Sequence, residues 1–221
     1  MARYKKGFEC SQARRQLVKA DSSFAQWIKR IGSIDYSPGW RKSFDVTDAL
    51  ARAILYQQLS GKAAATIVSR VETAIGSAAI HHRALKAVSD EQLRACGVSG
   101  NKVLALRDLA RREAAGEIPL ARQLQYLSNE RIIEMLVPTR GIGRWTVEMM
   151  LMFRLGRPDV LPIDDLGIRK GAQLLDALDA MPSPKELMQR GQAWSPNQTM
   201  ASFYLWRIAD FSKESVKRSQ D

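Results

Sequence analysis

Two short motifs in the second half of the chain combine residue types that can act on a phosphate-bearing polymer. The first is Gly141-Ile142-Gly143-Arg144-Trp145-Thr146, a Gly-x-Gly turn between two helical patterns. Unpaired amides at a helix N-terminus can hold a phosphate, and glycine lets a ligand approach the backbone closely. The second motif is Asp164-Asp165, two carboxylates at the predicted start of the next helix. Together the two motifs indicate chemistry on nucleic acid.

Each motif also has an ordinary structural interpretation. A Gly-x-Gly sequence taken alone is more often a tight turn between helices than a phosphate site. Two Asp residues at a helix start are more often N-caps, because a carboxylate accepts from the first amides of the helix and complements its dipole. Residue types alone leave both interpretations open.

Composition favours a polyanionic partner. The chain of 221 residues carries 34 Lys and Arg against 23 Asp and Glu, a net charge of +11. Cationic patches displace the counterions condensed on nucleic acid, although charge alone fits any soluble basic protein equally well.

The chain contains only two cysteines, Cys10 and Cys96, so we expect neither a zinc ribbon nor an iron–sulfur cluster. Free thiols and short apolar runs predict a cytoplasmic protein without a membrane segment, nucleoid-associated if bacterial.

The elements that must position the two motifs are helical. Apolar residues recur at helical spacing, and no alternating run indicates a strand. Ser183-Pro184-Lys185-Glu186 is typical of a capping box with proline at the first helical position, and Ser195-Pro196 predicts the start of the last long helix. The expected fold class is all-α. Earlier helices are predicted at 46–58, 61–75, 90–96, 101–115, 129–136 and 144–155.

Four motifs in order give the chain a family resemblance. The hairpin at 136–146 resembles that of the helix-hairpin-helix DNA glycosylase superfamily, in particular its 3-methyladenine DNA glycosylase II (alkylbase DNA glycosylase) branch. The stretch 54–64 contains a similar Gln-Gln-x-Ser-x-x-Ala-Ala pattern, and 97–102 is similar to the family's Gly-Leu-Ser-x-x-Lys. With the Asp motif, the resemblance spans about 21–210. The chain departs from the family at Thr139, where an aliphatic residue is usual.

The resemblance implies two helical lobes with DNA between them. One lobe covers 45–155 and includes the helix-hairpin-helix at about 129–155. The other combines 1–44 with 156–221 and carries the catalytic Asp. Some relatives have an extra N-terminal β-domain, and this chain has too few residues before 45 to build one. We therefore expect the two-lobed form with no N-terminal β-domain.

The resemblance also implies how the hairpin binds DNA. Main-chain carbonyls of the hairpin, at Thr139 and Gly141, are expected to hold a monovalent cation, Na⁺ or K⁺, that bridges to a phosphate. No cofactor is expected to be required. The residues expected at DNA phosphates are Gly141, Gly143, Arg144, Thr146, Arg140 and Lys62.

The family register selects Asp165 as the catalytic residue and leaves Asp164 as the preferred cap, because the essential Asp of the family precedes an x-x-Ile pattern. An ionised carboxylate can stabilise the oxocarbenium-like sugar that forms as an N-glycosidic bond breaks. In relatives that also cut the strand, a lysine nucleophile stands where this chain has Trp145. An indole cannot form a Schiff base, so we expect base removal without strand cleavage.

An enzyme that acts on a base in a duplex must extrude that base. By resemblance, Gln58 or Leu59 is the wedge that fills the gap, although Leu59 in the core is an equally good interpretation. The proposed base pocket consists of Trp206, Trp145 and Tyr56, whose rings could stack on a cationic base. Trp206 lies on a helix with other aromatic residues, which is also typical of a core position.

The sequence thus predicts a monofunctional DNA glycosylase of base excision repair. It would act as a monomer on double-stranded DNA and hydrolyse the N-glycosidic bond of alkylated purines, chiefly 3-methyladenine. Two alternatives remain open. One is a non-catalytic helix-hairpin-helix DNA-binding protein, which would not need Asp165. The other is a glycosylase-lyase that acts on oxidised bases.

Overall fold

The protein is helical throughout the part of the chain that the structure describes. The structure is a computed structural model that describes residues 3–218, and these contain α-helices and one 3₁₀ turn but no strand. The predicted all-α class is confirmed. Within the same residues, each helix is too short or too polar to span a bilayer. The helices are α1 (Cys10–Ala20), α2 (Ser23–Ile31), α3 (Ser37–Arg41), α4 (Val46–Tyr56), α5 (Gly61–Ile75), α6 (His82–Lys86), α7 (Asp90–Ala95), α8 (Gly100–Ala114), α9 (Ala121–Leu124), α10 (Asn129–Leu136), α11 (Arg144–Phe153), α12 (Leu166–Leu175), α13 (Pro184–Gly191) and α14 (Gln198–Arg218).

The chain divides into two compact units. Among the described residues, the first unit combines residues 3–4 with Ser43–Met150, and the second combines Lys5–Lys42 with 151–218. The family resemblance predicted lobe boundaries at 45 and 155. The second division in the structure falls earlier, inside α11, so this helix belongs to both units.

The first unit is built around α4 and α8. Both helices bury apolar residues at helical spacing, so each presents one continuous apolar face to the core. Asp45 caps α4 by accepting from the amide of Asp48. The buried residues of the two helices include Leu50, Ile54, Leu55, Val103, Leu106 and Leu109.

In the second unit, α12 packs closely against α14. A Cβ on Gly171 of α12 would overlap the backbone of Leu205 of α14, so only glycine permits this approach. Ile168 and Ala172 of α12 are buried, as is Leu205 of α14. The close crossing brings the N-terminus of α12 next to the middle of α14.

One predicted helix start is confirmed and another is wrong. Ser183 caps α13 in the predicted capping box, with Pro184 at the first helical position. The last long helix begins at Gln198 rather than at Ser195-Pro196. The hydroxyl of Ser195 donates to Asp159 instead of accepting from a helix amide, and Asp159 accepts from the amide of Gln198. The cap therefore comes from a distant residue that local sequence does not reveal.

Candidate functional site

Asp165 is the N-cap of α12. Its Oδ1 accepts from the backbone N–H of Ile168 at 2.9 Å, and its backbone is extended, as expected of a cap. The expectation that Asp164 is the cap was wrong, because α12 begins at Leu166, one residue later than that assignment requires. Asp164 is exposed, whereas Asp165 is partly buried. One carboxylate therefore combines the capping role with the position that the family register selects.

A second donor binds the same carboxylate oxygen. The indole Nε1 of Trp206, in α14, donates to Oδ1 of Asp165 at 2.9 Å. Two N–H donors thus converge on Oδ1, and the helix dipole of α12 adds partial positive charge at the same place. The arrangement fixes the orientation of the Asp165 side chain and suits a negatively charged carboxylate.

Gly167 makes room for the indole. A Cβ at Gly167 would lie 2.9 Å from Cδ1 of Trp206 and 3.1 Å from Oδ1 of Asp165. Both distances are shorter than ordinary van der Waals contacts, so a larger residue would displace the indole or the carboxylate. The Asp165–Trp206 hydrogen bond therefore depends on a glycine two residues after the Asp.

Trp206 is half-buried within an aromatic cluster of the second unit. Its ring is nearly parallel to the rings of Phe153 and Phe203, with centroids 5.9 and 6.3 Å away. Tyr36 contacts both phenylalanines. Sequence reasoning missed Phe153 and Tyr36, because Phe153 ends an apolar run that is typical of core and Tyr36 is far away in sequence. Trp206 thus packs within the unit yet stays partly exposed, and its role in a base pocket stays a prediction. Neither interpretation included its hydrogen bond to Asp165.

The hairpin between α10 and α11 belongs to the first unit. Ile142 is buried and anchors the turn, while Gly141 has a φ of +79°, which favours glycine. Gly143 differs, because a Cβ there would meet no heavy atom within 4 Å. Packing among residues 3–218 does not require glycine at 143. Its backbone stays open to close approach from outside, as the predicted phosphate site needs.

Arg144 is held by two carboxylates. Its Nη2 lies 2.5 Å from Oε1 of Glu130 in α10, and its Nε lies 3.1 Å from Oε1 of Glu148 in α11. A phosphate at Arg144 would have to compete with both. Thr146 is buried, and its N–H donates to the carbonyl of Gly143. Both residues therefore stabilise the hairpin in this structure, and their phosphate roles stay predictions.

Arg140 and Lys62 are exposed, as residues that contact a polyanion must be. The backbone N–H of Arg140 donates to Oδ2 of Asp108 in α8 at 2.9 Å, so a partly buried acceptor fixes the start of the turn. Burial alone would raise the pKa of Asp108, but hydrogen bonds from the Arg140 amide, Arg111 and Arg112 hold it below its ordinary value.

The two carbonyls named for a cation each accept one hydrogen bond. The carbonyl of Thr139 accepts from the amide of Ile142 at 3.0 Å, and that of Gly141 accepts from Nε2 of Gln57 at 2.8 Å. A carbonyl oxygen has two lone pairs, so a carbonyl that accepts one hydrogen bond can also bind a cation. Among residues 3–218, the buried hydroxyl of Thr139 has no hydrogen-bond partner. This donor set fits a weakly bound monovalent ion.

We call residues 57–60, which join α4 to α5, the wedge loop. Gln58 is exposed with a φ of +57°, so the chain reverses there, and Leu59 is 40% exposed. The alternative that Leu59 belongs to the core is therefore wrong. Nζ of Lys102 donates to the carbonyls of Leu55 and Gln57, at 2.8 Å each. Of the predicted pocket residues, Tyr56 and Trp145 lie in this first unit, and both are close to half exposed.

The comparisons with known proteins agree with this geometry. The family described as HhH-GPD superfamily base excision DNA repair protein matches residues 51–197, well over half of the chain. The chain belongs to this superfamily. It is 34% identical to DNA-3-methyladenine glycosylase 1 of Schizosaccharomyces pombe over 207 residues, which cover 92% of this chain and 90% of the relative.

Two solved structures are similar over nearly the whole chain. One is the S. pombe 3-methyladenine DNA glycosylase Mag1 in complex with abasic DNA, at 35% identity and a TM-score of 0.76, covering 89% of this chain and 95% of that one. The other is a DNA-3-methyladenine glycosidase from Bacillus halodurans, at 35% identity and a TM-score of 0.81, covering 91% of each chain.

Asp108→Ala is expected to destabilise the fold at neutral pH by about 1–3 kcal/mol, because hydrogen bonds to a charged group are lost. An Asp whose folded-state pKa is lowered contributes fully above its ordinary pKa of 3.8, and this contribution is lost as pH falls through the folded-state value. The difference in free energy of unfolding from wild type should therefore shrink in acid. Urea unfolding measures it, with the exposed Asp164→Ala as control. An equal difference at neutral and acid pH would contradict this assignment.

Proposed function

We propose that this protein is a monofunctional DNA glycosylase that removes alkylated purines, chiefly 3-methyladenine, in base excision repair. The observation that carries the proposal is the carboxylate of Asp165, held at the N-terminus of α12 by the N–H groups of Ile168 and Trp206. The enzyme acts as a monomer on double-stranded DNA. Its place of action is the cytoplasm, at the nucleoid if the source is bacterial.

The chemistry requires only one carboxylate. Cleavage of an N-glycosidic bond passes through an oxocarbenium-like sugar, which a fixed negative charge stabilises. Asp165 supplies this charge, and its two donors hold it in one orientation before the substrate binds. It can also orient or deprotonate the attacking water. An alkylated purine is already cationic and leaves readily, so no strong general acid is needed.

Trp145 supports hydrolysis without strand cleavage. A lyase needs an amine at this position of α11 to form a Schiff base with the sugar. The indole of Trp145 has no such nucleophile, and it is 47% exposed, so it can contact DNA or a base. The reaction then ends at an intact strand with an abasic site.

The hairpin is the proposed phosphate-binding site. The open backbone at Gly143 and the amides at the start of α11 supply donors, and the net charge of +11 supplies long-range attraction. The S. pombe relative is in complex with abasic DNA, which supports the same class of partner for this chain. Gln58 and Leu59 are the proposed wedge, since both are exposed at the tip of the wedge loop.

Asp165→Asn is expected to lower the single-turnover rate of base release by about 100- to 1000-fold, the usual loss when an electrostatic contact to the transition state is removed. Asn is as good an N-cap as Asp, so stability should change little. The measurement is chromatography of free bases released from methylated DNA, and Asp164→Asn is the matched control.

Three outcomes would contradict the proposal in different ways. Base release by Asp165→Asn at the wild-type rate would remove Asp165 from the mechanism. DNA binding by wild type with no base released would favour the non-catalytic alternative. Strand nicks formed without alkali or heat, or an adduct trapped by borohydride, would favour a glycosylase-lyase.

Trp206→Phe tests the second donor to Asp165. Phenylalanine retains an aromatic ring but removes the N–H, and a hydrogen bond to a charged group is worth about 1.5–3 kcal/mol. We expect the excision rate to fall by about 10-fold or more, with little change in affinity for undamaged duplex. Trp27→Phe, at a tryptophan that packs edge-to-face against Phe211, is the control. An unchanged excision rate in Trp206→Phe would show that the hydrogen bond is dispensable.

We also propose that the carbonyls of Thr139 and Gly141 hold Na⁺ or K⁺ when DNA is bound. Such an ion would add positive charge beside the phosphate. Replacing both ions by tetramethylammonium at constant ionic strength should then weaken DNA binding, because the larger cation does not fit between two carbonyls of one turn. Equal Kd values in the two salts would rule the cation out.

A further inference from the structure

One helix contacts both the wedge loop and the hairpin. Nζ of Lys102, in the first turn of α8, donates to the carbonyls of Leu55 and Gln57 at 2.8 Å each. These carbonyls lie at the C-terminus of α4 and the start of the wedge loop. The last carbonyls of a helix have no intrahelical partner, and a cation there also complements the negative end of the helix dipole. Lys102 thus ties the end of α4 to α8.

The same side of α8 also contacts the hairpin. A Cβ on Gly141 would lie 3.2 Å from Cβ of Ala105, so the turn rests directly on this helix. Oδ2 of Asp108 accepts from the amide of Arg140. Residues 102, 105 and 108 are three apart, and residues at this spacing are neighbours on a helix surface. The rigid helix therefore sets the distance between the wedge loop and the hairpin.

A direct hydrogen bond completes the connection. Nε2 of Gln57, in the wedge loop, donates to the carbonyl of Gly141 at 2.8 Å. The backbone carbonyl of the same Gln57 accepts from Lys102, so this residue is held from both sides. Gln58, the next residue, has a positive φ that a non-glycine residue adopts at some cost in free energy. Contacts made by neighbouring residues must therefore hold Gln58 in this conformation. The hydrogen bond from Lys102 to the carbonyl of Gln57 is made to the residue next to Gln58 in the chain.

We propose that Lys102 is a positioning residue for base extrusion: by fixing the backbone of Gln57, it holds the wedge loop in register with the hairpin. This inference rests on the proposed glycosylase function. A wedge inserts into the duplex only if it is placed correctly relative to the phosphates that the hairpin holds. Burial lowers the pKa of Lys102, so the ammonium is partly desolvated, and an apolar residue there would leave two carbonyls without their donor.

Loss of Lys102 should therefore impair base extrusion without impairing DNA binding. Without Lys102, the hairpin would still bind phosphates, but the wedge loop would no longer be fixed. The extruded state of the base would then be less populated, and the excision rate would fall in proportion. A merely structural lysine would lower the stability of the protein without changing the extrusion equilibrium of the folded enzyme.

The test compares Lys102→Met with Lys86→Met, which removes the same charge from an exposed lysine at the end of α6. We expect Lys102→Met to lower the single-turnover excision rate by about 10- to 100-fold, as misplacement by about 1 Å does. The Kd for undamaged duplex should match that of Lys86→Met. Fluorescence of 2-aminopurine next to the lesion, which rises as bases unstack, should rise less than with wild type.

Two further variants guard against a simple folding defect. Lys102→Arg retains the charge and the donors and should recover part of the rate, whereas Gln57→Ala should reproduce the loss. The double variant Gln57→Ala/Lys102→Met should be little worse than either single variant, because both act on one loop. Thermal unfolding of each variant establishes that the folded protein is being assayed.

The results that would overturn the proposal are specific. Wild-type fluorescence and excision by folded Lys102→Met would remove the positioning role while leaving the glycosylase function intact. Equal loss of rate and of duplex affinity would make Lys102 a general structural residue. If wild type itself releases no base, the proposed function fails, and the 2-aminopurine signal alone then decides whether Lys102 controls extrusion.

Discussion

The second unit depends on the close approach of α12 to α14. Gly171 permits this approach, because any side chain there would overlap the backbone of Leu205. The approach sets the N-terminus of α12 beside Trp206, and Gly167 leaves the space that its indole needs. Only then can the indole reach Oδ1 of Asp165. The orientation of the candidate catalytic group is therefore a property of helix packing as much as of the residue itself.

In the first unit, polar contacts to exposed backbone groups hold the hairpin and the wedge loop in place. The hairpin and the wedge loop are both irregular, and apart from the buried Thr139 and Ile142 the core packs mainly their flanking helices. Asp108 accepts from the amide of Arg140 in the hairpin. Lys102 donates to carbonyls at the end of α4 and the start of the wedge loop, and Gln57 donates to the carbonyl of Gly141 in the hairpin. Arg144 of α11 joins this helix to α10 through Glu130, and Glu148 of α11 holds the same guanidinium. Charged side chains here stabilise loop geometry, which matters where a loop must meet a rigid ligand.

The features that could be predicted from the sequence are those that depend on a local pattern of residues. Helical spacing predicted the all-α class, and the capping box at Ser183 follows from four adjacent residues. The register of the Asp motif selected Asp165, but local sequence could not decide which Asp caps the helix. The Asp165–Trp206 hydrogen bond joins residues 41 positions apart, and the cap of α14 comes from Asp159. Such contacts are set by tertiary packing, which periodicity does not encode.

Asp165 is both the N-cap of α12 and the candidate catalytic group, and this has a consequence for how proteins of this superfamily can diverge. Asparagine caps a helix as well as aspartate does, so a single-base change of codon could abolish the charge while leaving α12 stable. The hairpin and the wedge loop lie in the other unit and would be untouched by that change. On the proposed function, a descendant that binds DNA without releasing a base is therefore one substitution away, at little expected cost in stability.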